Sequence, residues 1–275
     1  METYREYYFY LKNKRDDLFN EEIIFSLFSD IANLPKEKLL FNFDEKVNNK
    51  ARLDRLIEQI EEGLPYQYVL GYTYFLGNKF YVDKNVLIPR QETEQLVKEV
   101  ESYISNVFQG KEIDVLDMCS GSGCIGITLA QNPSLKVTLV DISTEANEVA
   151  KKNASLNKTK LDIYTSNLFN DLPNKKYDVI VCNPPYIKSK DTVDESTLKH
   201  EPHLALFASP YTYFYEEIFK AKSSWLKEKY ILAFEIGEDM KFDLEQLCKK
   251  YFKNEIIIFQ KDMYDKDRFL YIISK

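Results

Sequence analysis

The stretch Asp178-Val179-Ile180-Val181-Cys182-Asn183-Pro184-Pro185-Tyr186 combines residue types that can do chemistry at one fixed place. An apolar run enters an Asn, two prolines and an aromatic ring. Proline lacks a backbone N–H and has a fixed φ, so the run must stop there, and Pro184 biases Asn183 towards an extended conformation. The result is a rigid rim at the C-terminal end of a strand, where open α/β sheets place their ligands. The amide oxygen of Asn183 and the carbonyl oxygen of Pro184 can both accept from one NH2 group, while Tyr186 packs against the plane that carries it. Such a rim turns a planar nitrogen's lone pair towards a donor group for in-line displacement. Positioning and a dry, polar cavity then carry most of the rate. An amide nitrogen is barely basic, so the transfer requires no dedicated base. Asn183, Pro184 and Tyr186 are the candidate catalytic residues, with a rigid β-turn as the purely structural alternative.

A second constellation is Val115-Leu116-Asp117-Met118-Cys119-Ser120-Gly121-Ser122-Gly123-Cys124-Ile125-Gly126. A strand ends at Asp117, small residues follow, and a helix begins near Cys124. Gly121 and Gly123 let backbone approach a ligand closely. The letters fit the GxGxxG of dinucleotide sites, but Asp117 stands four residues before the first glycine. A carboxylate there suits a cationic amino group and offers a pyrophosphate nothing. The next strand ends at Asp141, 18 residues after Gly123. Its carboxylate can accept from both hydroxyls of a ribose, or cap the helix that starts near Ser143. Asn167 and Leu168 follow a third strand, placed to bond an adenine edge and to cover its face. A ligand with an amino-acid end, a sulfonium and a nucleoside, S-adenosylmethionine, fits these positions better than a nicotinamide dinucleotide. His200 and His203, the only histidines, flank Pro202 in a weak ligand set and are expected to be loop residues; no metal is expected.

These residues need a sheet to position them. From residue 113 strand and helix patterns alternate: strands over 113–117, 136–141, 161–164, 177–182 and 230–235, and helices over 124–131, 143–156 and 211–225. Two late apolar runs, 255–259 and 269–273, lie too close for a crossover helix and predict an antiparallel hairpin on the sheet edge. The stretch 188–210 has no regular pattern and reads as a lid or substrate wall. Residues 1 to about 70 read as helical, over 3–19, 21–30, 35–40 and 47–62, with ten basic and fourteen acidic residues through position 70. Aromatic fragments at 74–76, 79–82 and 86–88 suggest a hairpin linker, followed by a helix over 93–107. The expected organisation is a helical docking domain over 1–72, a linker over 73–92 and a catalytic domain over 93–275.

A formal net charge of -7 disfavours a large nucleic-acid footprint. Four cysteines without metal-knuckle spacing read as free thiols of a cytoplasmic protein. The N-terminus lacks a signal-peptide apolar region, and no segment has eighteen uninterrupted apolar residues, so no membrane association is expected.

With the motifs in view, the chain resembles the peptide-chain release factor glutamine methyltransferases (PrmC/HemK) over nearly its whole length. The resemblance rests on Pro65-Tyr66-Gln67-Tyr68 with Gly71, Leu87-Ile88-Pro89-Arg90-Gln91-Glu92-Thr93-Glu94, Asn183-Pro184-Pro185-Tyr186-Ile187 and Glu201-Pro202-His203-Leu204-Ala205-Leu206. Asn-Pro-Pro-Tyr alone is shared with other amino-group methyltransferases; the other pieces point more narrowly. Glu235-Ile236-Gly237 and Asp267-Arg268 look like further family features. The resemblance implies a class I S-adenosylmethionine-dependent methyltransferase, an α/β Rossmann-like sheet with an antiparallel edge hairpin, plus a small N-terminal helical domain that helps bind the release factor. The implied product is N5-methylglutamine in the Gly-Gly-Gln loop of release factors, made by a monomer that binds no nucleic acid directly. Implied cofactor contacts fall on Cys119, Ser120, Gly121, Ser122, Gly123, Asp141, Leu168 and Asn183, and glutamine contacts on Asn183, Pro184, Pro185 and Tyr186. Arg90 and Glu92 would help shape the peptide cleft. The family often has Gly at the place of Cys119 and Asp at that of Asn167, and the lost charge at Asn167 implies weaker cofactor affinity. Competing readings are an adenine-N6 DNA methyltransferase, a methyltransferase for another protein amide, and a non-enzymatic cofactor-binding interaction protein.

Overall fold

The computed structural model describes residues 1–14, 18–109 and 112–275. The chain forms two compact units, Met1–Gly71 and Tyr72–Lys275.

The first unit is helical, with helices Tyr4–Lys14, Glu21–Ala32, Lys36–Leu39, Lys50–Glu61 and Tyr66–Leu70. Side-chain caps set their starts: Asn20 accepts from the Ile23 N–H and Asn49 from the Arg52 N–H. Leu53, Leu56, Ile57 and Ile60 form a buried stripe at helical spacing and pack with Tyr7, Leu11, Leu27 and Phe28. The first helix, expected over 3–19, is described over Tyr4–Lys14, and residues 15–17 of that expectation lie outside the described residues. Residues 66–70 wind into a short helix closed by Gly71 at φ 77°.

The second unit opens with a two-stranded hairpin, β1 (Tyr72–Phe75) and β2 (Asn78–Tyr81). Its two-residue turn has positive φ at both Leu76 and Gly77, the geometry that matches strand twist. Leu76 is held there because its N–H donates to Glu94 Oε1 at 2.7 Å. The hairpin packs on the helix Thr144–Leu156: the Tyr81 N–H donates to Asn153 Oδ1, and Asn153 Nδ2 donates back to the Tyr81 carbonyl. Phe75 and Phe80 are buried in the main core, so the segment read as a linker groups with the second unit. Residues 86–88 form no strand.

Seven further strands form one sheet: β3 (Ile113–Met118), β4 (Leu135–Asp141), β5 (Asp162–Thr165), β6 (Tyr177–Cys182), β7 (Leu226–Glu235), β8 (Ile256–Lys261) and β9 (Asp267–Ile273), in the order β5-β4-β3-β6-β7-β9-β8. β3 to β7 are parallel; β9 runs antiparallel between β7 and β8. The late hairpin is therefore at the edge, as its spacing predicts. Strands covered on both faces must be apolar throughout, and every residue of β6 is buried. Val115, Val179 and Val181 face the helices Gln91–Val107, Cys124–Leu129 and Thr144–Leu156, while Leu116, Ile180 and Cys182 face Tyr213–Trp225 and Lys241–Tyr251.

The helix Lys241–Tyr251 is not legible beforehand, because only Leu244 and Cys248 of it are buried. The stretch 188–210 is not structureless either: it holds a 3-10 turn Lys190–Thr192 and helices Glu195–His200 and His203–Leu206. Local capping explains this, since Ser189 accepts from the Asp191 N–H and Asp194 from the Thr197 N–H. Among the described residues no helix is long and apolar enough to cross a membrane.

Strand order reverses at the β3–β6 pair, since β3 leads to β4 on one side and β6 to β7 on the other. Met118 pairs with Cys182 in the ladder, so Cys119 and Asn183 leave the sheet side by side. A crevice at that switch point is dictated by topology.

Candidate active site

Cys119, Gly121, Asp141, Asn167, Leu168, Asn183 and Pro185 line one cleft at that switch point. Asp141 is fixed in it by two backbone donors: the Gly121 N–H reaches Oδ2 at 2.8 Å and the Ser143 N–H reaches Oδ1 at 2.9 Å. Each oxygen keeps a lone pair for a ribose hydroxyl. Ser143, rather than Asp141, caps the following helix, by accepting from the Ala146 N–H. Cys119 and Leu168 hold positive φ, 59° and 51°. Non-glycine residues adopt this at a cost, and such costs gather at functional sites. The φ of Cys119 also explains why a glycine would stand there comfortably.

Other expected cofactor residues sit behind the cleft rather than on its wall. Ser120, Ser122 and Gly123 are not among the residues that line it. Ser122 is buried, and its carbonyl accepts from Asn153 Nδ2. Gly123 and Gly126 serve close packing: a Cβ at Gly123 would meet Ile127 and Leu139 at 2.8 Å, and one at Gly126 would meet Leu139 at 2.7 Å. Asp117 is fully buried and also off the wall; its Oδ2 accepts from the Gly126 N–H at 2.8 Å. Burial pushes its pKa up to about 8.

Two buried polar atoms at the end of β3 and in the turn after it, Asp117 Oδ1 and Ser120 Oγ, have no hydrogen-bond partner among the described residues. Orphans of this kind are costly, and a ligand carrying an ammonium and a carboxylate could satisfy both. Together with the Asp141 carboxylate and the apolar cover of Leu168, the donor set fits S-adenosylmethionine.

Arg90, Glu92, Pro184 and Tyr186 line a second, more polar cavity, shared with Glu235 and Arg268. Asn183 belongs to both cavities, as do Leu87 and Ala205. A buried network holds the rim. Asn183 Nδ2 donates to Thr93 Oγ1 at 3.2 Å, Thr93 Oγ1 donates to Glu235 Oε2 at 2.7 Å, and the Tyr186 hydroxyl donates to Glu235 Oε1 at 3.0 Å. Tyr215 adds a bond to the Glu235 carbonyl at 2.8 Å. Burial raises the Glu235 pKa, against the hydrogen bonds of Thr93 and Tyr186 and the charge of Arg268. Burial also raises the Tyr186 hydroxyl, so it stays a donor.

Arg90 is turned to structural work. It pairs with Glu201, whose Oε2 accepts from the Ile88 N–H at 3.0 Å and whose Oε1 accepts from Thr197 Oγ1 at 3.1 Å. This ties the segment 87–94 to the loop that carries Ala205 and Leu206. Thr93, Glu201, Glu235 and Arg268 were not read as site residues from their types. The available signal was physical: an acid closing the fully buried run of β7 needs partners.

A parallel sheet reversing at β3–β6, a glycine turn after β3, an acid closing β4 and an antiparallel β9 define the class I S-adenosylmethionine-dependent methyltransferase fold. A methyltransferase from Pyrococcus furiosus aligns over 82% of this chain and 98% of its own at TM-score 0.52 and 14% identity. A human methyltransferase 10 domain containing protein aligns over 72% and 90% at TM-score 0.51 and 16% identity. Residues 93–200 match the family described as "Methyltransferase small domain". The release factor glutamine methyltransferase of Flavobacterium psychrophilum is 36% identical over 92% of this chain and 93% of its own. That of Bacillus subtilis is 35% identical over 86% and 85%. The chain belongs to the release factor glutamine methyltransferase family.

Proposed function

We propose that the protein transfers a methyl group from S-adenosylmethionine to the side-chain amide nitrogen, N5, of the glutamine in the Gly-Gly-Gln loop of peptide-chain release factors. The observation that carries this reading is that Asn183 lies on the wall common to the two cavities. When bound, the cofactor supplies an electrophilic methyl group on a sulfonium. Every other requirement falls to the chain's own residues. Asp141 holds the ribose hydroxyls, Asn167 meets the adenine edge and Leu168 covers its face. Asn183 Oδ1 and the Pro184 carbonyl accept from the substrate NH2, and Tyr186 bounds its plane. Val86, Leu87, Pro185 and Phe214 supply the apolar cover that keeps water out of the first cavity. The amide proton leaves to solvent once the nitrogen has been alkylated, so no side chain acts as base.

The substrate is a protein, as the family name implies, and the polar second cavity, with Arg90 and Glu92 at its wall, suits a glycine-rich peptide. The helical unit, residues 1–71, docks the release factor, and residues 72–275, the hairpin included, form the catalytic domain. The protein acts as a cytoplasmic monomer. The test is to incubate it with methyl-labelled S-adenosylmethionine and either a release factor or duplex DNA, and to map the labelled atom. Label on the Gly-Gly-Gln glutamine, lost in Asn183→Ala, is expected. Label on adenine refutes the reading.

A further inference from the structure

Thr93 is a hydroxyl with one proton, and that proton is committed to Glu235 Oε2 at 2.7 Å. A hydroxyl so committed can only accept along its remaining directions. The Asn183 amide lies 3.2 Å from it, so the edge of the amide facing Thr93 must be the NH2. Its oxygen is then left for the rim. The geometry points to Thr93 and Glu235 as positioning residues that set which way round the Asn183 amide stands, and so restrict the acceptor to a group offering N–H donors. This rests on the reading given under Proposed function and adds to it the source of the amide's orientation.

The device depends on a single carboxylate serving both sides of the slot. Glu235 Oε1 accepts from Tyr186 while Oε2 accepts from Thr93. Both bonds need an acceptor-only, ionised group. The groups that face it are Thr93 and Glu92 from the helix Gln91–Val107, Tyr186 beyond β6 and Arg268 of β9. Burial, most strongly, and Glu92 oppose the charge, while the two hydroxyls and Arg268 favour it. Without the hydroxyl at position 93, the amide loses its reason to prefer either orientation. In the reversed one, its NH2 confronts the substrate's NH2, two donors without an acceptor.

Thr93→Val keeps the shape and removes the hydroxyl; Thr93→Ser restores it. Steady-state kinetics with a release factor, and calorimetric titration with S-adenosylmethionine, separate orientation from folding and cofactor binding. For Thr93→Val, kcat is expected to fall about 10- to 100-fold, the scale of one misplaced group in a preorganised site. Cofactor affinity should stay unchanged, and Thr93→Ser should recover most of the rate. Glu235→Gln, which cannot accept at both ends, should lower kcat in the same way and serves if Thr93→Val does not fold. Wild-type kcat in Thr93→Val with an inactive Asn183→Ala overturns this inference and leaves the functional reading standing. A fully active Asn183→Ala overturns both. A Thr93→Ser as slow as Thr93→Val also overturns it, by making the methyl packing, not the hydroxyl, responsible.

Discussion

Replacing Glu201 by Gln tests how the acceptor side of the site is held together. The Glu201 side chain is 1% exposed and receives three groups: the Ile88 N–H, the Thr197 hydroxyl and the Arg90 guanidinium. Glutamine has nearly the same shape but one acceptor oxygen. If that oxygen serves Ile88, its NH2 confronts the Arg90 guanidinium, donor against donor, while the Thr197 hydroxyl can turn to accept from it. A hydrogen bond to a charged group contributes about 1.5–3 kcal/mol, and leaving a buried donor unpaired costs about 1–3 kcal/mol. Arg90 is 36% exposed and can turn to water, so its share is discounted for screening. The expected loss is about 3 kcal/mol, which lowers Tm by about 6–12 °C in a unit of this size. Scanning calorimetry of wild type, Glu201→Gln, Arg90→Leu and the double variant reads both the loss and the coupling. The two single losses should overlap, because the residues share one contact. A Tm change below about 2 °C, or losses that simply add, refutes the reasoning.

Two further outcomes follow from the β3 turn. Gly126→Ala should cost about 1–3 kcal/mol in urea unfolding, because its Cβ would meet Leu139 Cδ1 at 2.7 Å and Asp117 Oδ2 at 2.9 Å; wild-type stability would show that the helix shifts freely. Asp117 binds its proton more tightly folded than unfolded, its pKa raised by burial to about 8. Its contribution to stability is therefore full below the ordinary carboxylate value of about 3.9 and is lost as pH rises through about 8. Asp117→Asn, measured without ligand, should gain on wild type as pH rises through that window, and parallel urea midpoints from about pH 5 to about pH 9 would count against the burial argument.

Much of the donor side was legible because its cues are local. Asn183 follows an apolar run and precedes two prolines; Asp141 closes a strand; Gly121 begins a turn. Each announces its place within a few residues, and the structure sets all three on one cleft. The acceptor side was legible in part: Asn183, Pro184 and Tyr186 from the same local motif, Arg90 and Glu92 as the cleft border that the family resemblance implies. Thr93 and Glu235 are 142 positions apart and Arg90 and Glu201 are 111 apart, and nothing near Thr93 distinguishes it from an ordinary helix start. Its partner is chosen by sheet order, which periodicity does not report. Asp117 shows the converse: its position announced an acid near a ligand, while its full burial beneath the turn needed the helix to be in place. The helix Lys241–Tyr251 escaped because two buried side chains make too faint a stripe.

The long reach of these contacts bears on how the enzyme matures on the ribosome. The first cavity draws on residues 85 to 214, but the second also needs Glu235, Lys266 and Arg268. A nascent chain thus presents the residues of the nucleoside pocket well before those that seat a glutamine. Both cavities are completed only with the last strand to emerge, because β6, β7 and β9 share one core.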